Sequence, residues 1–191
     1  FQKIYDLQNS SRTTFYKNIL FPKAKFDKWS SSETTLPSDI QKTEFDKNSV
    51  LERFNHQLKI SGLNTLNTLK PDFNWACTNI DNIKNEYDLK EYIVIFPFCS
   101  PHLSIKKWPY YNELIKLIKN KHKDKFKIVV APGPLEIKET KNINAISVLN
   151  GEKVLDIPQL SSLIKDSSFV IANDTGPAHI AAHLGVKGLT L

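Results

Sequence analysis

The stretch FVIANDTGPAHIAAHLGVKGLTL, residues 169–191, decides the fold of this chain. It opens with four apolar residues in a row, which is typical of a β-strand buried on both faces. The turn formers at residues 173–176 follow, and Pro177 suits the first turn of a helix, where its missing N–H would have no partner. The pattern therefore predicts a strand, a polar turn and a helix over residues 178–184 that stops at Gly185 in a left-handed conformation.

This strand-to-helix junction predicts an anion site. The order places backbone N–H groups and the positive end of a helix at the carboxyl edge of a strand, where phosphate groups bind. His179 lies in the first helical turn and Asp174 supplies an acceptor beside it. An ordinary turn, in which Asp174 or Thr175 only caps the helix, explains the same residues equally well.

The second half of the chain alternates apolar strands with amphipathic helices, which predicts a parallel, Rossmann-like α/β sheet. One helix opens at Pro109 and another is capped by Asp156. Their inward apolar faces follow helical spacing. The predicted strands are residues 92–96, 126–131, 143–148, 169–172 and 188–191, and the inward helical residues are Tyr111, Leu114, Ile115, Ile118, Leu160, Leu163 and Ile164.

The first half has a weaker pattern, from which we predict residues 1–80 as a partial amino-terminal Rossmann-like domain with a connector. Residues 81–191 then form a carboxyl-terminal Rossmann-like domain that is truncated at its end. The predicted elements of the first half are a strand over 4–7, a helix capped by Ser10 or Ser11 with Phe15, Ile19 and Leu20 inward, an irregular loop over 21–47, a helix within 48–69 and a connector over 71–88.

Composition narrows the class of protein. With 40% hydrophobic and 24% charged residues among 191, the chain has the composition of a soluble globular protein. It contains no apolar run of about 18 residues, so no transmembrane helix is predicted. The two cysteines, Cys77 and Cys99, predict free thiols in a reducing compartment. The absence of Met, a start on a strand and an end inside one predict a fragment of a longer protein.

The net charge of +6 is concentrated in residues 106–127, which hold eight lysines. Such a patch attracts nucleotide diphosphates, anionic lipid headgroups or nucleic acid. A solvated helix face explains most of these lysines as well. The scarcity of arginine and of aromatic binding strands argues against nucleic acid as a partner.

Three loops follow predicted strands and meet at one edge of the sheet: residues 97–107, 132–136 and 173–179. Their polar side chains suit a nucleotide diphosphate sugar. Ser100 offers a hydroxyl, Lys106 a point charge for phosphate and Glu136 an acceptor for a ribose diol. They join Asp174, Thr175, Gly176, Pro177 and His179 at the helix terminus.

Each of these residues also has a structural interpretation. Lys106 fits an ordinary surface lysine, Trp108 fits core or interdomain packing, and Glu136 fits the first turn of a helix. His179 and His183 have the spacing of metal ligands, but no third ligand lies in range, and we predict no metal.

Residues 174–182, DTGPAHIAA, closely resemble the D-[TS]-G-P-x-H-x-A-A motif of the ADP-heptose:lipopolysaccharide heptosyltransferases, glycosyltransferase family 9. Residues 6–13 are similar to the family's D-L-Q-x-x-x-R stretch. Residues 96–109 are similar to P-G-x-S followed by K-R-W-P. PGPLE at 132–136 resembles G-G-P-x-E, and residues 160–168 resemble L-x-x-L-I-x-x-A-x. The ordered set is more specific than any one of these motifs.

Three positions depart from the family pattern. Phe98 stands where a glycine is usual, Pro132 replaces the first glycine of G-G-P-x-E, and Ser167 replaces an alanine. The first two departures favour an alternative, a non-catalytic relative that only binds nucleotide. Another alternative is an enzyme of the same fold that uses a different nucleotide sugar, either a transferase or an epimerase.

The resemblance implies a GT-B-type α/β fold, with an incomplete amino-terminal domain and most of the donor-binding carboxyl-terminal domain. It implies inverting transfer of heptose from ADP-heptose to an anionic lipopolysaccharide core acceptor, without a cofactor. The implied location is cytoplasmic, at the inner face of the cytoplasmic membrane. The family's general base is an acidic residue upstream of Phe1, so we expect this fragment to be inactive on its own.

The resemblance also implies roles for single residues. Lys106 falls on the lysine that contacts the donor or stabilises developing negative charge, and Glu136 on the residue that binds the donor ribose. Arg12 corresponds to a contact with the anionic acceptor, although a structural salt bridge explains it equally well. The other implied donor-binding residues are Ser100, Asp174, Thr175, Gly176, Pro177 and His179.

Overall fold

The chain divides into two units, Phe1–Pro71 and Asp72–Leu191. A computed structural model describes residues 3–20, 28–123 and 125–191. The boundary predicted between residues 80 and 81 falls inside the second unit, because Ile80 and Ile83 are both buried in that unit's core. Mixed charges around these two isoleucines made the segment resemble a connector.

In the first unit, two short strands pair in parallel beside three α-helices within the described residues. The side chain of Ser10 accepts a hydrogen bond from the Thr13 amide in a capping box, so the predicted cap is confirmed. The elements are β1 (Ile4–Tyr5), α1 (Ser11–Phe15), a π-helical turn (Tyr16–Leu20), β2 (Trp29–Ser30), α2 (Lys42–Phe45) and α3 (Val50–Ile60).

Two predictions for this unit are wrong. The side chains of Phe15, Ile19 and Leu20 are exposed rather than inward. The π-helical turn changes which side chains share a face, so α-helical spacing does not apply there. Residues 28–47 are not an irregular loop, since Trp29 and Phe45 are buried within a strand and a helix. Residues 21–27 of that predicted loop lie outside the described residues.

The second unit contains a parallel sheet of five strands in the order β5-β4-β3-β6-β7. From the central strand β3 the chain moves outward through β4 and β5, then returns to the other side of β3 for β6 and β7. The carboxyl ends of β3 and β6 therefore form the topological switch point of the sheet. The strands are β3 (Tyr92–Phe96), β4 (Lys127–Val130), β5 (Ile146–Ser147), β6 (Phe169–Ala172) and β7 (Gly188–Thr190).

Helices cover both faces of this sheet. Alternate residues along each strand point to opposite faces, so the unit has two apolar clusters. Tyr111 and Ile115 pack on one face, and Leu163, Ile164 and Ala181 pack on the other, as the helical spacing predicted for all but the last. None of the helices in the described ranges is long and apolar enough to cross a membrane. The helices are α4 (Asp81–Glu86), α5 (Tyr111–His122), α6 (Ile157–Lys165) and α7 (Gly176–His183), and Gly185 after α7 has the predicted positive φ, 69°.

The start of α6 provides a stability prediction. The Asp156 carboxylate accepts a hydrogen bond from the Gln159 amide at 2.8 Å, and the Gln159 side chain accepts one from the Asp156 amide at 3.2 Å. We expect Asp156→Ala to lower the free energy of unfolding by about 1 kcal/mol, because the Gln159 amide loses its side-chain acceptor. Urea denaturation measures the loss. Glu152→Ala, at an exposed position outside the helix, serves as the control, and an equal loss in both variants would contradict the prediction.

Candidate functional site

At the switch point, a lysine from the loop after β3 forms an ion pair with a carboxylate from the loop after β6. Lys106 lies at the end of the 3-10 helix Pro101–Lys106, which follows β3. Asp174 lies between β6 and α7. The Lys106 Nζ is 2.5 Å from Asp174 Oδ2, and both side chains keep solvent access. The structure therefore brings together two of the predicted site residues, 68 positions apart in sequence.

The amino terminus of α7 beside this pair is not covered by a side-chain cap. Thr175 occupies the cap position, yet its hydroxyl donates to the Asn173 carbonyl at 3.2 Å. Among the described residues, no side chain accepts a hydrogen bond at this cap. A side chain at position 176 would have no neighbour within 4 Å of its Cβ, so the space beside Gly176 is open. A side-chain cap on this helix is therefore not observed. Pro177 has no N–H and the Ala178 amide donates to the Thr175 carbonyl at 3.0 Å, so the Gly176 amide is the first-turn donor that the described residues leave unbonded.

The charges around Asp174 are predominantly positive. The hydrogen bond from Lys106, and then its charge, lower the pKa of Asp174, and His179 contributes a smaller effect in the same direction. The His179 Nε2 is 3.7 Å from Asp174 Oδ1. Because the pKa is lowered, the stabilising contribution of this carboxylate is complete above the unfolded value of 3.8 and is lost as the pH falls through the folded value. The ion pair is thus intact at neutral pH.

A cavity of about 310 Å³ adjoins the amino terminus of α7. Its lining includes the predicted residues Ser100, Glu136, Thr175 and Pro177. That volume lies at the lower end of the range for small-molecule sites, roughly 300–1,000 Å³. The other side chains of the lining are mainly apolar, which suits the flat face of a nucleobase or a sugar ring: Phe96, Phe98, Cys99, Ala131, Pro132, Pro134, Val154, Leu155, Ile157 and Leu160.

The sequence did not predict the part of this lining that precedes and begins α6. Val154 and Leu155 contribute to the cavity from the connection between β5 and α6, and Ile157 contributes from the first position of α6. The available signal was the set of apolar residues on either side of the capping residue Asp156, namely Val154, Leu155 and Ile157. Such residues at the carboxyl edge of a parallel sheet point toward the ligand crevice rather than the core.

Glu136 is already engaged within its own loop. Its Oε2 accepts a hydrogen bond from the Gly133 amide at 2.7 Å, which closes the turn after β4. Among the described residues, its Oε1 accepts no hydrogen bond. Oε1 is therefore the oxygen that could accept a hydrogen bond from a ribose hydroxyl, and this role stays a prediction.

Phe98 and Trp108 both pack in the core around Tyr111. Phe98 is buried against Tyr111 and its neighbours, and the described non-glycine residues with positive φ do not include it. A glycine is therefore not required by the backbone at position 98. Trp108 is partly buried and meets the Tyr111 ring edge-on at 5.4 Å, which agrees with its packing interpretation. The adjacent Lys107 pairs with Glu139 at 2.6 Å, on the side of the loop after β4.

Two remaining candidates, Arg12 and His183, belong neither to the cavity lining nor to the Lys106–Asp174 ion pair. Arg12 is exposed on α1 of the first unit and forms no ion pair with the described residues, so the structural salt bridge is not observed. His183 lies at the end of α7, where its carbonyl accepts from the Phe73 amide. Across residues 3–20, 28–123 and 125–191, no three His, Cys, Asp or Glu side chains are grouped so as to hold a metal ion. Cys77 and Cys99 are free and only partly buried.

A parallel sheet with a basic, uncapped strand-to-helix junction at its switch point defines a Rossmann-like α/β domain. Residues 4–191 match the family described as glycosyltransferase family 9 (heptosyltransferase). The chain belongs to glycosyltransferase family 9, as its motifs predicted. No curated protein sequence matches the chain.

Solved structures share the fold. The E. coli heptosyltransferase WaaC with ADP has a TM-score of 0.64 and 18% identity, over 100% of this chain and 61% of that one. The E. coli WaaC structure with ADP-2-deoxy-2-fluoro heptose has a TM-score of 0.52 and 22% identity, over 75% of this chain and 45% of that one. The family 9 glycosyl transferase from Veillonella parvula DSM 2008 has a TM-score of 0.53 and 16% identity, over 74% of this chain and 42% of that one. The predicted GT-B-type α/β class is confirmed, and the chain spans less than two thirds of each of these structures.

Proposed function

We propose that this chain supplies the donor site of a heptosyltransferase that transfers heptose from ADP-heptose to a sugar of the lipopolysaccharide core. The observation that carries the proposal is the Lys106 ammonium group beside the uncapped amino terminus of α7. A cation and free amides at one point suit a diphosphate. Membership of family 9 supports the choice of heptose transfer.

The donor would occupy the junction and the cavity together. Its diphosphate would accept hydrogen bonds from the Thr175 and Gly176 amides and from Lys106, and its nucleoside would enter the apolar cavity. Glu136 Oε1 would accept from the ribose, with Ser100 at the cavity wall. Asp174 and His179, exposed beside Lys106, would face the sugar and the phosphate.

The chemistry assigned to this chain is stabilisation of the leaving group. An acceptor hydroxyl attacks the anomeric carbon, the bond from that carbon to the diphosphate oxygen breaks, and the electron pair stays on the diphosphate. The ammonium group of Lys106 and the helix amides stabilise that added negative charge. The proton of the acceptor hydroxyl goes to a general base, which we assign to no residue of this chain. Attack opposite the leaving group inverts the anomeric centre.

The acceptor side follows from charge. We propose an anionic lipopolysaccharide core acceptor and a contact with the inner face of the cytoplasmic membrane, because the chain carries a net charge of +6. Arg12, exposed in the first unit, is the proposed acceptor contact. Nucleic acid is not proposed as a partner.

Calorimetric titration of ADP, ADP-heptose and UDP into the protein tests this proposal. We expect ADP and ADP-heptose to bind at least about tenfold more tightly than UDP, because a purine buries more apolar surface in the cavity than a pyrimidine. Release of ADP from ADP-heptose on addition of a lipopolysaccharide core acceptor would establish transfer in a protein that joins this chain to a segment supplying the general base. Equal binding of UDP, or no binding of either nucleotide, would contradict the proposed donor.

A further inference from the structure

The side chain of Asn173 holds both ends of the loop that carries Lys106. Asn173 is fully buried at the end of β6. Its Oδ1 accepts hydrogen bonds from the Tyr111 hydroxyl at 3.1 Å and from the Trp108 amide at 3.3 Å. Its Nδ2 donates to the Phe98 carbonyl at 3.4 Å. One amide group thus joins the start and the end of the loop after β3 to the neighbouring strand.

These contacts bear directly on the ion pair. Lys106 lies two residues before Trp108, and Asp174 follows Asn173 in the chain. Burial raises the pKa of Tyr111, so its hydroxyl stays protonated and can donate to Asn173 Oδ1 at 3.1 Å or to the Phe96 carbonyl at 3.2 Å. Without the Asn173 side chain, the Trp108 amide and the Phe98 carbonyl would each lose a buried partner, and the loop would lose its register against α7.

We propose that Asn173 is a positioning residue, which sets the place of Lys106 over the amino terminus of α7 and thereby the affinity for the diphosphate. The inference rests on the proposed function for the identity of the ligand. Asn173 would act through Lys106, because Asn173 itself is fully buried and does not reach the open side of the junction.

Both hydrogen-bonding roles of the amide are needed. An aspartate at position 173 would keep an acceptor for Trp108 and Tyr111 but would bury a charge and lose the donor to Phe98. A leucine of similar size would keep neither role. We therefore expect Asn173→Ala, Asn173→Asp and Asn173→Leu all to weaken ADP binding, and Tyr111→Phe, which removes one hydroxyl and keeps the ring, to weaken it less.

The test is a double-mutant cycle in which calorimetry measures the Kd for ADP of each variant. Asn173→Ala is expected to raise the Kd for ADP about tenfold in the wild-type background, and less than about twofold when Lys106 is already alanine. Ser162→Ala is the matched control. Ser162 is also buried and bridges a loop, through hydrogen bonds with the Thr78 carbonyl and amide, but it is not part of the cavity lining or the ion pair.

A purely structural role would give a different result. If Asn173→Ala and Ser162→Ala lower the melting temperature while both leave the Kd unchanged, positioning is refuted. An equal loss of affinity with and without Lys106 refutes action through that lysine. Should Asn173→Ala fail to fold, the same comparison is made with Tyr111→Phe.

Amide hydrogen exchange separates this inference from the proposed function. We expect exchange at residues 97–108 to speed up in Asn173→Ala and not in Ser162→Ala, whether or not ADP binds. Failure of the wild-type protein to bind ADP would overturn the proposed function while this loop measurement still decides whether Asn173 holds the loop. Unchanged exchange in Asn173→Ala would overturn the positioning role itself.

Discussion

The Lys106→Ala variant is expected to bind ADP about 10 to 100 times more weakly than the wild-type protein. A hydrogen bond to a charged group contributes about 1.5–3 kcal/mol, and each 1.4 kcal/mol corresponds to a factor of ten in affinity. The substitution also leaves the Asp174 carboxylate without its cation beside the incoming phosphate. Because Lys106 is partly exposed, the loss should be measured by calorimetry at a fixed, low ionic strength.

The adjacent lysine provides the matched control for this prediction. Lys107→Ala removes the same charge from the same loop, but the Lys107 ammonium group pairs with Glu139 at 2.6 Å rather than with Asp174. We expect its effect on the Kd to stay within about threefold, as for a solvent-exposed ion pair. Equal losses in the two variants would show that net charge, and not the position of Lys106, governs binding.

The second unit was largely predictable because its local signals agree with its tertiary structure. Continuous apolar runs such as residues 92–96 and 169–172 gave buried parallel strands. The capping box at Asp156 and the positive φ of Gly185 fixed the ends of helices. Each of these features involves neighbours in sequence, so a single sequence carries the information.

The first unit was less predictable because its core depends on a few distant residues. Trp29 and Phe45 are buried within a segment that is otherwise rich in polar residues. Likewise, Ile80 and Ile83 join the core of the second unit from a segment of mixed charge. Burial of isolated apolar residues is decided by contacts across the fold, which composition and periodicity do not report.

The candidate site likewise has one feature that the sequence predicted and one that it did not. The meeting of Lys106 and Asp174 followed from the rule that parallel strands end at a common edge. The role of Asn173 did not follow, because asparagine after a strand is typical of a turn. Only its burial, together with hydrogen bonds to Trp108 and Tyr111 more than 60 positions away, distinguishes it.

The Leu163→Ala variant is expected to lose about 2–5 kcal/mol of unfolding free energy, the largest effect on stability that we predict. Leu163 is fully buried in the core between α6 and the sheet, and its carbonyl accepts from the Tyr92 hydroxyl at 2.9 Å. Removing most of its side chain leaves a cavity that a packed core fills only in part. Because whole domains are stable by only about 5–15 kcal/mol, urea denaturation should show a clearly lower midpoint.

Another leucine in the same unit supplies the comparison. Leu117 on α5 is 65% exposed, so Leu117→Ala is expected to change the unfolding free energy by less than about 0.5 kcal/mol. Leu163 does not line the cavity, and its variant should therefore keep the wild-type Kd for ADP once folded. Saturating ADP at about 100 times the Kd should then restore about 2.7 kcal/mol by binding only the folded state. A loss of ADP affinity in folded Leu163→Ala would show that the donor site depends on this part of the core. Similar destabilisation in Leu163→Ala and Leu117→Ala would contradict the prediction that burial of Leu163 sets the size of the loss.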